Sequence, residues 1–111
     1  MFVKMKYCDT LQDKFQDFLK GQDEIIKQFR SRRAEVPEHD YQTAMRLEAE
    51  MMGELQDFTF MYIDNLFFNK KDYRATIEFF CFVNRASEEP NFAEMNTEEI
   101  VQFADWCVKH I

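Results

Sequence analysis

Glycine and proline are scarce, with two of each in 111 residues, against a usual share of roughly 7% and 5%. Tight turns draw on these residues, so a sheet of many short strands is disfavoured and long helices are indicated. Cysteine is confined to Cys8, Cys81 and Cys107. The number is odd, the spacing is wide and no CxxC pair occurs, which removes zinc-ribbon and dithiol motifs and leaves reduced thiols acting as small core hydrophobes. No run approaches the roughly 20 apolar residues of a membrane span, and MFVKMKYCDT lacks an apolar segment of signal-peptide length. The expected location is the cytoplasm, away from membranes. Positive charge is also short, at 14 Lys and Arg against 21 Asp and Glu for a net charge of -7. Such a chain repels nucleic acid, so no direct nucleic-acid binding is expected and a basic partner is the natural complement.

What is present is apolar and aromatic. LQDFTFMYIDNLFF, residues 55–68, has nine apolar side chains in fourteen, and is expected to be the buried centre of a single domain spanning 1–111. The fold class expected is all-α, a four-helix arrangement with a long antiparallel hairpin (about 9–35 and 40–68) and two shorter helices (about 72–87 and 97–110). Asp9 and Gln12 read as a capping box. Leu11, Phe15, Phe18, Gln22, Ile25 and Phe29 then step by four and three, a heptad seam with one polar member. Gly21 is where this helix would kink or restart at Asp23. VPEHD makes the turn, with Asp40 capping the second helix, while Asp72 and the pair Asn96 and Glu99 cap the others. Two segments carry a second pattern: residues 2–7 alternate as a short strand or extended arm would, and 75–83 also alternate and are rich in β-formers.

The charges are laid out in blocks. Residues 1–33 carry a net +3, 34–68 a net -7, 69–85 a net +2 and 86–111 a net -5, an alternation that suits antiparallel helices. Within the second helix Glu50, Glu54 and Asp57 fall at i, i+4 and i+7 and so share one face. Asp64, inside the most apolar stretch, calls for exposure or for an ion pair with Arg74 or Arg85. Thirteen Phe, four Tyr and one Trp exceed what a small core can enclose, and Phe67, Phe68, Phe79, Phe80 and Phe82 are too closely spaced to face one interior. They point to a contiguous apolar patch of the kind found at interfaces.

Two stretches resemble known families. LEAEMMGEL is similar to the first acidic motif of the all-α nucleotide pyrophosphatases, which implies a divalent cation on Glu50, Glu54 and Asp57 and a metal-dependent nucleotide hydrolase. The second acidic helix of that family, with Glu and Asp three apart, has its nearest counterpart only at Gln102 and Asp105. Arg33, His39 and Tyr41 resemble the Arg, spacer, His, x, Tyr arrangement of HEPN-type ribonucleases, which implies RNA cleavage there, although Ala34 replaces the usual asparagine and Pro37 interrupts the segment.

The leading expectation is a small acidic non-enzymatic protein-binding module, an inhibitor or immunity or anti-defence-type protein that docks on a basic protein surface of the kind that handles nucleic acid. Glu50, Glu54 and Asp57 would steer it, and Phe67, Phe68 and Phe82 would anchor it, with no cofactor or metal required. The alternative is a homo-oligomeric assembly subunit, such as a homodimer, in which the heptad seam meets its own copy and Gln22 sets the register.

Overall fold

The computed structural model describes residues 5–111, and the fold is all-α, with no strand among the described residues. In chain order the elements are α1 (Tyr7–Thr10), α2 (Gln16–Ala34), α3 (Tyr41–Asp64), a π-helical segment Asn65–Asn69, α4 (Tyr73–Val83), a 3-10 turn Phe92–Glu94 and α5 (Thr97–His110). These fall into two compact units, one formed by Asp17–Thr59 and the other by the rest of the described chain. The strand pattern at 2–7 lies partly outside the described residues; Met5 and Lys6 are irregular and Tyr7 opens α1. The alternating pattern at 75–83 is helical, because a helix here is capped at both ends and buries five consecutive residues, Ala75 to Phe79, which face all sides of it.

The helix ends follow the sequence closely. The Asp40 carboxylate accepts from the Thr43 N–H at 3.2 Å and the Thr43 hydroxyl at 2.7 Å, and these bonds hold its carboxyl below the usual range. Asp72 accepts from the Ala75 N–H, and Asn96 and Glu99 form the reciprocal capping box of α5. The C-terminus of α4 closes without glycine. Arg85 takes the left-handed conformation (φ 55), so that its N–H reaches the Phe82 carbonyl and the Ala86 N–H reaches the Cys81 carbonyl. The chain leaving this cap offers the Ala86 and Ser87 carbonyls to the N–H groups of Cys8 and Tyr7, each at 3.0 Å. That satisfies the otherwise orphaned donors at the start of α1.

One expected helix is two. The first helix begins as α1, passes through turns at residues 11–15 and restarts at Gln16. The break therefore precedes Gly21, and Asp9 lies inside α1 instead of capping a long helix. The reason is tertiary: Cys8, Leu11 and Phe15 are all buried, and Phe15 meets Phe79 and Phe82 at 5.3 and 5.4 Å between ring centroids. The buried centre is also displaced from the sequence reading. Ile63 and Leu66 are enclosed, but Met61 and Phe68 of the 55–68 stretch are exposed, whereas α4 buries every residue from Ala75 to Phe79. Around α4 pack α1, the π-helical segment and α5, and Tyr62 adds a ring 4.7 Å from that of Phe79.

The unit Asp17–Thr59 is an antiparallel hairpin of α2 and α3. Phe18 stacks on Phe58 at 5.3 Å and 10°, Phe29 and Leu47 are buried, and Arg32 pairs with Glu50 at 3.3 Å across the two helices. α2 runs unbroken through Gly21 because the absent side chain is a packing requirement: a Cβ there would overlap the Phe58 ring. Gly53, inside α3, has nothing near it, so it costs α3 helix propensity and gives no packing in return.

The two glycines should thus respond oppositely to alanine. Gly21→Ala is expected to destabilise by about 1–3 kcal/mol through overpacking against Phe58. Gly53→Ala is expected to stabilise by about 1 kcal/mol. Urea denaturation of both variants checks this, and a loss of stability in Gly53→Ala would contradict it.

Candidate functional site

The hairpin has two unlike flanks. On α3, the spacing of Tyr41, Met45, Glu48 and Leu55 places them along one stripe, and Glu50, Glu54 and Asp57 project from the opposite side of the same helix. The stripe forms one wall of a groove of about 440 Å³. Ile26, Phe29, Arg30 and Arg33 of α2 form the other wall, again at i, i+3, i+4 and i+7, and Met51 and Leu55 lie along α3 deeper toward its middle. Tyr41 is 73% exposed and Met45 70%, so large apolar groups stand at the mouth of a concave surface that two helices alone do not close. The size is in the range of ligand-holding clefts.

The charged groups divide between these flanks. On the acidic side, Glu50 is bridged to Arg32, and Glu54 and Asp57 are exposed and form no ion pair among the described residues. On the groove side, Arg30, Arg33 and Glu48 are exposed and likewise form no ion pair among the described residues. Among the described residues no group of three or more His, Cys, Asp or Glu is placed to hold a metal ion. Of the ribonuclease-like triad, Arg33 and Tyr41 line the groove, and His39 is exposed in the connecting turn without contributing to the lining.

The aromatic anchors lie in the other unit. Phe68 is 60% exposed, Phe67 is half-buried with its ring 4.8 Å from Phe68 and 5.4 Å from Tyr73, and Phe82 is half-buried against Phe15. Phe79 is fully enclosed, so the five closely spaced phenylalanines split between core and surface. Asp64 is simply exposed. The members of the expected self-association seam are turned inward, with Leu11, Phe15, Phe18 and Phe29 buried and Gln22 and Ile25 half-buried.

A cluster around Glu78 was not visible in the sequence. Glu78 is buried in α4, where its carboxylate forms an ion pair with Lys14, accepts from the Tyr7 hydroxyl at 3.3 Å and lies 4.0 Å from the Arg74 guanidinium. Arg74 also reaches Glu89 at 3.4 Å and covers the Phe92 ring at 4.5 Å. Burial, then the negative charges of Glu78 and Glu89, push the Tyr7 phenol well above its ordinary value. The three thiols are free and buried. Burial, followed by Glu78, raises the Cys81 thiol, and burial, followed by Cys81, raises Cys107 to about 12.

Comparison with known proteins leaves the site to its own geometry: no family model, no curated protein and no solved structure matches the chain.

Removing both cations from Glu78, as Lys14→Met with Arg74→Met, should cost about 2 kcal/mol, less than for a fully enclosed pair because both cations reach solvent. Adding Glu78→Gln to that double variant should recover part of the loss, as the uncompensated charge disappears; a further drop in urea midpoint would contradict it. The Cys107 thiol sets a pH limit. An unfolded thiol ionises near its ordinary value of 9.0 and the folded one only near 12, so its contribution is intact below pH 9 and is lost as pH rises toward 12. Between pH 9 and 11 the protein should lose about 1 kcal/mol per pH unit more than its Cys107→Ala variant, read from denaturation curves at each pH.

Proposed function

We propose that the chain is a small non-enzymatic protein-binding module that docks on a basic surface of another protein, and that it acts as an inhibitor of the immunity or anti-defence type by occupying that surface. One observation carries this reading: Glu50, Glu54 and Asp57 form an exposed acidic face on a helix held in a hairpin, and only Glu50 has a cationic partner among the described residues. In a chain with net charge -7, a face of this kind raises the association rate with a positively charged surface and disfavours nucleic acid itself as the ligand. The helix fixes the backbone of these carboxylates, so only their side-chain rotamers remain to be ordered on binding. Phe68, exposed beside Phe67, supplies the apolar contact that long-range charge alone cannot, because bound affinity rests on desolvated anchors more than on rim charges. Phe82, half-buried with its ring 5.4 Å from Phe15, is the third proposed anchor.

A pull-down of the tagged chain from cell extract at low and high salt tests the reading. Recovery of a basic protein should fall steeply as salt rises, and the combined variant Glu50→Gln, Glu54→Gln and Asp57→Asn should slow association about tenfold or more at low salt while leaving the thermal melt in place. Capture that is indifferent to both salt and these substitutions would sink the proposal, as would recovery of the chain alone as a defined oligomer.

A further inference from the structure

We propose that the groove between α2 and α3 binds an amphipathic α-helix of a partner protein, with apolar residues at i, i+3 or i+4 and i+7 and with acidic side chains along the edge that meets α2. This site is on the flank away from Glu50, Glu54 and Asp57 and stands independently of the basic-surface reading.

The shape argument comes first. Two helices packed side by side leave a long concave seam, and the partner that fills such a seam with backbone hydrogen bonds satisfied is a third helix, lying with its ridge in the groove. From Tyr41 to Leu55 the wall runs about 21 Å at 1.5 Å per residue, the length of about four helical turns. A second copy of the hairpin is the competing occupant, since two hairpins pack groove to groove in four-helix bundles, and the oligomeric state of the free chain separates the two.

The chemistry narrows the occupant. Met45 and Met51 give the lining a flexible, polarizable surface that moulds to branched side chains. Tyr41 at the mouth combines an apolar ring with a hydroxyl, a combination common at binding hot spots. The rim carries the charge code. Neighbouring cations of α2 are already used, Lys27 by Asp23 and Arg32 by Glu50, but Arg30 and Arg33 on the groove side form no ion pair among the described residues. In a protein of net charge -7 this is a local cationic edge, matched on the α3 side by Glu48. A helix with carboxylates toward α2 and a cation toward Glu48 is attracted in one orientation, and a basic helix is repelled along the α2 edge.

The test uses a display library of helical peptides of about four turns, with leucines at i, i+4, i+7 and i+11 and the flanking positions randomised among Glu, Lys and Ser, selected against the full chain. Enrichment of peptides acidic along one edge is expected. Their binding, followed by fluorescence anisotropy, should be abolished by Met45→Glu and weakened about tenfold by Arg30→Glu with Arg33→Glu. Changing the peptide's acidic edge to lysine should restore binding to that charge-reversed variant, a rescue that misfolding cannot imitate. The variant neutralised at Glu50, Glu54 and Asp57 should bind the peptides undiminished, so failure here and failure of the basic-surface reading are separable. The proposal is overturned if the library yields no enrichment, if the enriched peptides are basic along that edge, or if binding survives Met45→Glu. It is equally overturned if the chain without peptide forms a dimer that Met45→Glu dissolves, which would make a second copy the occupant.

Discussion

A helix that is buried around most of its circumference must be covered on every side, and a carboxylate within it must be met by cations. α4 imposes both demands. Its apolar residues Ala75, Ile77 and Phe79 are enclosed, and Glu78 lies among them with its charge answered by Lys14, Arg74 and the Tyr7 hydroxyl. Those partners come from different parts of the chain, so neutralising one buried charge fixes where α1 and the turn after it must sit. The Schellman-type end of α4 serves the same purpose, because the left-handed Arg85 turns the Ala86 and Ser87 carbonyls toward the first N–H groups of α1. Aromatic contacts complete the enclosure: Phe15 lies within 6.2 Å of Tyr62, Phe79 and Phe82.

The hairpin unit is governed by the opposite condition. Two helices packed on each other bury one stripe apiece, here with Phe18 on Phe58 over Gly21 and with Phe29 and Leu47 enclosed. Everything outside that stripe remains available. On α3 the remainder is divided into an acidic side and an apolar side, and the apolar side together with α2 makes the groove. The packing of this unit and the surfaces proposed for recognition therefore lie on different faces of the same helix, so substitutions at the exposed Glu50, Glu54, Asp57, Tyr41 or Met45 should test recognition with little effect on packing.

Charge takes a different role in each setting. At Glu78 it is structural and enclosed, and its partners cannot be removed without leaving an uncompensated carboxylate. On the hairpin it is exposed, where individual pairs such as Arg32 with Glu50 contribute little to stability but the summed field decides which surfaces approach.

The sequence by itself determined the fold class and the caps of α3, α4 and α5, because these depend on local chemistry, and the apolar character of the thiols pointed to their burial. Scarce glycine and proline favour long helices. Asp40, Asp72 and Asn96 bond N–H groups three residues ahead of them, and no distant contact is needed for that. The exposed acidic face was legible for the same reason, as i, i+4, i+7 spacing is a property of one helix. Tertiary structure decided the rest. It broke the first helix before Gln16, since Leu11 and Phe15 gain more from burial beside α4 than from continuing a helix. It moved the buried centre from residues 55–68 to α4, since α1, α5 and the π-helical segment all pack on the latter, and it made Glu78 an interior anion that meets Lys14 and Tyr7 from 64 and 71 residues away. The groove also escaped the linear pattern. The stripe Ile26, Phe29, Arg30, Arg33 and the stripe Tyr41, Met45, Glu48, Leu55 each read as ordinary helix faces, and only their side-by-side placement turns two convex stripes into one concave site.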